Sequence, residues 1–259
     1  MINRGLTGVL LIMLLTLAPA GKVLCQEIEE AASALHEVDT LLNQGDNQQA
    51  WQILLELPAA GQGDSGEKLW RMARAQYEMG RIEEPERPPL NFFRRAEGYA
   101  RAAIAEEPEQ AAGYKWLAIT LGAQAKEVDT KTQIQLSREI KENIDKAIAL
   151  DPDDDIAYLV LSRWHYKISG LGFLARTFVN IVYGGLPEAS LEEAEELLWQ
   201  AIGLHDRVAH RYNLAKVYDR MGRREAAVAQ LQLALLLPAT FPEEVEELDK
   251  AREKLQKWQ

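Results

Sequence analysis

The stretch that decides the fold runs from residue 214 to residue 238 and reads LAKVYDRMGRREAAVAQLQLALLLP. Leu214 and Tyr218 stand four residues apart, so they lie on the same face of a helix. Gly222 follows them, and glycine is the residue that most readily ends a helix in a left-handed conformation. The first half of the stretch therefore predicts an amphipathic helix that ends in a turn at Gly222.

The second half of the stretch predicts another helix that packs closely on the first. Ala227 and Ala234 are small, so they allow two helices to approach each other, and Pro238 stops the second helix. Seven residues occupy signature positions of a tetratricopeptide (TPR) unit: Leu214, Ala215, Tyr218, Gly222, Ala227, Leu231 and Ala234. One such unit cannot bury its apolar face alone, so we expect neighbouring units to stack on it.

The whole chain has the composition of an all-helical protein. It contains 259 residues, of which 47% are hydrophobic and 27% are charged, enough for a sizeable buried core. Its net charge of −11 argues against nucleic acid as the main partner. Cys25 is the single cysteine, which excludes an intrachain disulfide and a cysteine-based metal site.

The first 20 residues have the pattern of a signal peptide. Arg4 supplies a positive charge, residues 6–17 form an apolar run, and Ala18 and Ala20 are the small residues expected before a cleavage site. Residues 1–20 are therefore predicted to be a signal peptide, and the mature protein to be exported to the periplasm. The alternative is an uncleaved membrane anchor formed by residues 6–20.

The remainder, residues 27–259, divides into helical pairs of the same kind. We expect an all-α, TPR-like solenoid of helical hairpins that forms a right-handed superhelix and closes with a C-terminal capping helix. The predicted units and the capping helix span about residues 28–60, 65–108, 110–152, 155–206, 208–238 and 242–258. Extra residues interrupt three units, with loops expected at residues 83–90 and 126–134 and a longer insert in the fourth unit.

The longer insert, residues 170–185, is an apolar segment between glycines that reads GLGFLARTFVNIVYGG. The interpretation we favour packs its side chains back onto the repeats, because exposed apolar patches of this size are unusual. The side chains expected to pack are Phe173, Leu174, Phe178, Ile181 and Val182. The alternative is an interfacial helix that contacts a membrane or a partner, with Arg176 as its one charge.

One segment resembles a known family. Residues 163–169, which read RWHYKIS, together with Leu174 and Arg176, are similar to a helix and insert of the regulator of microtubule dynamics family. The last repeat is similar too, through Tyr218, Gly222, Ala234, Leu235, Leu237 and Pro238. The resemblance covers roughly residues 90–258 and implies TPR-like repeats that act by protein–protein contact, in association with microtubules and mitochondria in the animal members. Because an export signal places a chain away from tubulin, this one looks more like a bacterial relative.

In a TPR superhelix the first helix of each unit lines a concave groove. The groove positions here are mostly basic or aromatic, and they are Lys68, Arg71, Lys115, Arg163, Tyr166, Lys167, Tyr212, Lys216 and Arg220. Only two further groove positions, Glu78 and Asp219, are acidic. We therefore expect the groove to bind a protein or peptide through an acidic segment or a C-terminal carboxylate. The alternative is that the cations pair with acidic residues on adjacent helices, an arrangement that contributes little.

The sequence contains no catalytic or metal-binding pattern. It has no G-x-S-x-G turn and no Gly-rich phosphate loop, and His205 and His210 are five residues apart, which does not put two ligands on one helix face. We expect no cofactor and no metal, and a non-enzymatic scaffold of the cell envelope that binds partner proteins. Two alternatives are a membrane-attached adaptor, held by the N-terminal segment or the insert, and a microtubule-associated regulator, as the resemblance implies.

Overall fold

The computed structural model describes residues 29–58, 64–82 and 89–258, and these residues form twelve α-helices and no β-strand. The helices are α1 (29–44), α2 (Asn47–Glu56), α3 (Gly66–Arg81), α4 (Pro89–Glu106), α5 (Ala111–Gln124), α6 (Thr130–Leu150), α7 (Asp155–Ser169), α8 (Phe173–Tyr183), α9 (Leu191–Leu204), α10 (Val208–Arg220), α11 (Arg224–Ala234) and α12 (Pro242–Trp258). The predicted signal peptide and most of the loop at residues 83–90 lie outside the described residues.

The helices pack in pairs that stack into a solenoid. Helix α3 packs on α4, α5 on α6, α7 on α9, and α10 on α11. The pairs then stack, because α4 also packs on α5 and α9 on α10. The first helices α3, α5, α7 and α10 contact one another in that order, and we call the face that they form the groove. This arrangement confirms the predicted all-α, TPR-like fold.

Close packing within each pair depends on small residues. The second helices carry alanines that are at most 1% exposed, among them Ala100, Ala147, Ala201 and Ala234. Gly80 at the end of α3 has a similar role, since a Cβ atom there would lie 2.8 Å from side-chain atoms of Phe92 and Phe93 on α4. The alanine and glycine positions therefore set how near the two helices of a pair can approach.

The extra residues of the third unit lengthen a helix, which corrects the loop expected at residues 126–134. Helix α6 starts directly after Asp129. Asp129 caps it, because its side chain accepts hydrogen bonds from the backbone N–H groups of Lys131 and Thr132. Ile134 in the added turns is buried, so the extension has an apolar contact that stabilises it.

The insert in the fourth unit forms helix α8, which ends at Gly184 in a left-handed conformation. Four of its side chains are exposed: Leu174 (81%), Phe178 (51%), Ile181 (78%) and Val182 (52%). The favoured interpretation, in which they pack onto the repeats, is therefore wrong for these four, while the side chain of Phe173 lies outside the described part. The physical reason is that the apolar residues of α8 cover more than half of the helix surface, and only the edge that carries Val179 is buried.

Helix α12 has two halves that contact different surfaces. Ala251, Leu255 and Trp258 in its C-terminal half pack against the apolar core of α10 and α11, as expected of a capping helix. The N-terminal half instead runs over the groove, where Glu247 binds Arg163 of α7. The two residues are 84 positions apart in the chain, so no local pattern predicts this contact.

Candidate partner-binding groove

The nine predicted groove residues all lie on first helices. They are Lys68 and Arg71 on α3, Lys115 on α5, Arg163, Tyr166 and Lys167 on α7, and Tyr212, Lys216 and Arg220 on α10. Their role in binding a partner stays a prediction. Their contacts, however, divide them into groups with different chemistry.

The cations on α3 and α5 are held by acidic neighbours. The pairs are Lys68 with Asp64, Arg71 with Asp39, and Lys115 with Asp154. Arg71 has the strongest geometry, since its Nε and Nη2 atoms donate to the two oxygens of Asp39 at 2.9 and 2.6 Å. All three side chains are therefore ion-paired: Arg71 with a carboxylate on the adjacent helix α1, and Lys68 and Lys115 with carboxylates that lie just before α3 and α7.

A second group lies where α7 meets α10, and we call Tyr166, Tyr212, Lys216 and Arg220 the α7–α10 patch. The Arg220 guanidinium lies 3.5 Å from the ring centroid of Tyr166. The Lys216 ammonium lies 5.0 Å from the Tyr166 centroid and 5.7 Å from that of Tyr212. Both cations thus rest on aromatic faces, which orient them by cation–π attraction and leave them able to bind an anion.

The α7–α10 patch has an excess of positive charge. Burial, followed by the nearby Arg163 guanidinium, lowers the pKa of Lys216 to about 8. Within the described ranges, no carboxylate lies within 4.0 Å of Lys216 or Arg220. An incoming carboxylate would relieve this repulsion, so the patch is suited to an acidic ligand.

Lys167 lies apart from the patch and lines a partly open cavity of about 370 Å³. The cavity is bounded by α5, α6, α7 and α8 and by Tyr77 of α3, and most of its wall is apolar, including Ile134, Trp164 and Val179. Burial and then Lys126, which also lines the cavity, lower the pKa of Lys167. No local sequence pattern predicts this cavity, because its walls come from five helices and the gap is set by where α8 lies.

Arg163 is engaged by α12. Its Nη2 atom lies 2.8 Å from Oε1 of Glu247, and its Nε donates to Oδ1 of Asn213 at 3.3 Å. Near the other end of the groove, Nη1 of Arg81 lies 2.7 Å from Oε1 of Glu243. An acidic segment therefore does occupy part of the groove, and it belongs to this chain.

Glu78, one of the two acidic groove residues, lies next to that segment. Burial, and then the Glu243 carboxylate, raise the pKa of Glu78 to about 7. Arg81 and Arg74 act in the opposite direction, and the Arg81 Nη1 atom lies 3.1 Å from Glu78. Glu78 and Glu243 thus share one half-buried arginine, and repulsion between the two carboxylates opposes the contact made by α12.

Two histidines that the sequence left without a role contact the start of α7, His205 from the end of α9 and His210 from α10. His205 Nδ1 and His210 Nε2 each lie 3.3 Å from the buried Asp155, whose Oδ2 also accepts a 2.5 Å hydrogen bond from Arg207. Burial lowers the pKa of His210. Arg207 is the main charge partner of Asp155, and in the described part of the chain no His, Cys, Asp and Glu group is arranged to hold a metal.

Comparison with known proteins gives a consistent family match. The model of the family described as regulator of microtubule dynamics protein 1-3 matches residues 34–259, so the similarity starts well before the expected residue 90. Regulator of microtubule dynamics protein 3 of Xenopus laevis is 33% identical over 222 residues, which cover 84% of this chain and 48% of the relative. Regulator of microtubule dynamics protein 1 of Caenorhabditis elegans is 26% identical over 190 residues, covering 73% and 84% respectively.

The chain spans about half the length of the vertebrate protein 3 relatives. The rat protein, for example, is 29% identical over 238 residues, which cover 50% of its length. Among solved structures, a thermophilic TPR protein of Thermus thermophilus aligns with a TM-score of 0.64 and 19% identity. That alignment covers 87% of this chain and 99% of the other. At this identity the likeness concerns the fold alone.

Proposed function

Because the chain belongs to the regulator of microtubule dynamics family, whose TPR-like fold is typical of protein–protein interaction, we propose that it is a non-enzymatic scaffold whose α7–α10 patch binds an acidic segment of a partner protein. The observation that carries the proposal is that Lys216 and Arg220 rest on tyrosine rings and lack a carboxylate partner among the described residues.

The chemistry of the patch favours a carboxylate ligand. Lys216 is partly buried and has lost part of its hydration. This burial, followed by the nearby Arg163 guanidinium, lowers its pKa, and the Glu247 carboxylate offsets the shift only in part. A charge-assisted hydrogen bond from Lys216 or Arg220 to a carboxylate restores that interaction. The aromatic faces of Tyr166 and Tyr212 add apolar area beside the charges, so an acidic segment with an adjacent apolar residue fits best.

The setting of this scaffold is a further part of the proposal. The relatives' names describe regulators of microtubule dynamics, and a microtubule-associated role is the alternative that family membership supports. A location in the cell envelope rests on the pattern of residues 1–20, which the structure does not describe.

Charge reversal in the patch tests the proposal. We expect Lys216→Glu combined with Arg220→Glu to weaken binding of a fluorescein-labelled, glutamate-rich peptide by about tenfold or more, since two charge-assisted contacts become repulsive. Fluorescence anisotropy with the acidic peptide and an uncharged peptide of equal length measures this effect.

The matched control reverses two exposed cations outside the groove, Lys131 and Lys146 on α6. It changes the net charge by the same amount, so it reports any non-specific attraction. Equal affinity of the patch variant and the α6 variant for the acidic peptide would contradict the proposal.

A second candidate function, contact with a membrane surface, is supported by α8. Its four exposed apolar side chains form one stripe that follows the helical repeat, and Leu174 and Ile181 are the most exposed of them. No helix in the described ranges has both the length and the apolar character to cross a bilayer, so this contact would be interfacial.

Vesicle flotation distinguishes this candidate. If α8 binds the interface, wild-type protein floats with vesicles that contain anionic lipid, and Leu174→Asp combined with Ile181→Asp abolishes flotation. Leu236→Asp, which changes an equally exposed leucine elsewhere, is the control and should float like the wild type. Flotation that is absent, or unchanged by the α8 substitutions, argues against the membrane role.

A further inference from the structure

The N-terminal half of α12 lies on the groove and contacts three of its helices. Glu243 binds Arg81 on α3 at 2.7 Å, and Glu247 binds Arg163 on α7 at 2.8 Å. Glu247 also accepts a 3.4 Å hydrogen bond from Asn213 on α10. One acidic helix turn therefore bridges helices from the second, fourth and fifth pairs of the solenoid.

The residues before this turn extend the contact to the first pair. The Pro242 ring lies against the turn between α1 and α2, because a Cβ atom on Gly45 would be 3.2 Å from Pro242 Cγ. The Phe241 ring lies 5.9 Å from the Arg74 guanidinium and 5.2 Å from that of Arg207. The segment thus presents an aromatic residue and a row of carboxylates to the arginines of the groove.

The two halves of α12 are held by different forces. The C-terminal half is anchored by buried apolar side chains such as Ala251, whereas the N-terminal half is held by polar contacts: the ion pairs of Glu243 and Glu247 and the hydrogen bonds of the buried Glu244. Because Arg81 and Arg163 are partly exposed, the two ion pairs can be replaced by equivalent pairs to another chain. The Val245 side chain, on the same turns, is exposed and anchors nothing.

The contact between α12 and the groove is also opposed by a carboxylate of the groove itself. Glu78 lies beside Glu243 and shares Arg81 with it. Burial, and after it the Glu243 carboxylate, raise the pKa of Glu78, and Arg81 and Arg74 only partly offset this shift. Repulsion between Glu78 and Glu243 weakens the contact of this acidic helix turn with the groove. The turn can therefore leave the groove while the apolar contacts of the C-terminal half of α12 remain.

We propose that residues 241–247 occupy the groove until a partner binds. The partner carries an acidic helix of the same pattern, which displaces residues 241–247 and binds Arg81 and Arg163 in their place. This inference rests on the proposed scaffold function and specifies its ligand as an acidic helix that begins with an aromatic residue. The partner's segment then continues from the vacated positions onto the α7–α10 patch.

The first experiment detaches the resident segment in the full chain. Glu243→Lys combined with Glu247→Lys is expected to increase affinity for a labelled peptide of residues 240–250 by about tenfold or more, because internal competition is lost. Hydrogen exchange of the backbone amides of residues 243–250 should become faster in the same variant. Asp249→Lys, an exposed charge reversal on the same helix, should change neither quantity.

Two further variants distinguish detachment of the segment from misfolding of the double lysine variant. Glu243→Gln with Glu247→Gln keeps the side-chain size and should change affinity and exchange in the same direction by a smaller amount. Arg81→Glu combined with Glu243→Lys swaps the charges of one pair, and it should restore the amide protection that Glu243→Lys alone removes. Unchanged peptide affinity and exchange in the double lysine variant would overturn the inference.

The two proposals fail in different ways. If reversal of Lys216 and Arg220 abolishes binding of acidic peptides while detachment of residues 241–247 leaves their affinity unchanged, the scaffold function stands and displacement is wrong. If acidic peptides bind neither wild type nor the detached variant, the scaffold function itself is wrong.

Discussion

Replacement of Trp164 by alanine is expected to lower the free energy of unfolding by about 3–5 kcal/mol, the usual cost of removing a large buried aromatic side chain. The Trp164 side chain is only 5% exposed and packs in the central core between α6 and α7. Its indole Nε1 donates a 2.8 Å hydrogen bond to the backbone oxygen of Ser137, and the substitution would leave that oxygen without this donor. Because Trp164 also lines the 370 Å³ cavity, the truncation would enlarge an existing void. Urea unfolding followed by circular dichroism measures the loss.

Trp199 provides the matched control for this substitution. It is the same residue type on α9, which packs on α7, but its side chain is 43% exposed. Trp199→Ala should therefore lower the free energy of unfolding by only about 1 kcal/mol. Trp164→Phe keeps most of the ring volume and isolates the loss of the indole hydrogen bond. Unfolding midpoints that agree for Trp164→Ala and Trp199→Ala would show that the α6–α7 contact is not part of the cooperative core.

Glu244→Ala is expected to cost about 2–3 kcal/mol, because it removes a buried, charged acceptor from several hydrogen-bond donors at once. The Glu244 Oε2 atom accepts from the backbone N–H of Thr240 at 2.6 Å and from its hydroxyl at 2.7 Å, and more weakly from the N–H of Phe241. The Oε1 atom accepts from the N–H of Ala209 at the start of α10. The side chain therefore caps α12 and joins it to α10, and its loss should destabilise both the cap and the groove contact. Chemical unfolding measures the first effect, and amide exchange of residues 240–247 measures the second.

Glu246 lies two residues away and serves as the control for Glu244. Its side chain is largely exposed and its nearest groove cation, Arg81, is 3.9 Å away, so Glu246→Ala should cost about 0.5 kcal/mol or less. Glu244→Gln keeps the size but turns an acceptor into a group with two donors, so it should resemble Glu244→Ala. Stability equal to wild type for both Glu244 variants would contradict the capping role.

Much of the fold was predictable because the signals are local. The helix pairs follow from apolar residues four positions apart and from alanines, such as Ala227 and Ala234, which are fully buried. The spacing of Ser190 and Glu193 is that of a capping box, and the Ser190 hydroxyl accepts a hydrogen bond from the Glu193 N–H at 3.0 Å. These features depend on chain neighbours within one or two helical turns.

The charge distribution of the groove was only half predictable. Helical register assigns Arg71, Arg163 and Lys216 to first helices, but it does not say which carboxylate, if any, lies opposite each one. Arg71 meets Asp39, Arg163 meets Glu247, and Lys216 meets no described carboxylate. The difference arises because the curvature of the stack decides which distant residues come within hydrogen-bonding distance.

By itself, the sequence determined that this chain forms stacked helical pairs of the TPR type and which residues line their first helices, since periodicity and residue size act over a few positions. Only the tertiary structure decided that α8 leaves its apolar stripe exposed, that a cavity lies beneath it, and that α12 returns to the groove. Those outcomes depend on how many helix pairs stack and at what angle, a sum of small packing terms over the whole solenoid that no short segment encodes.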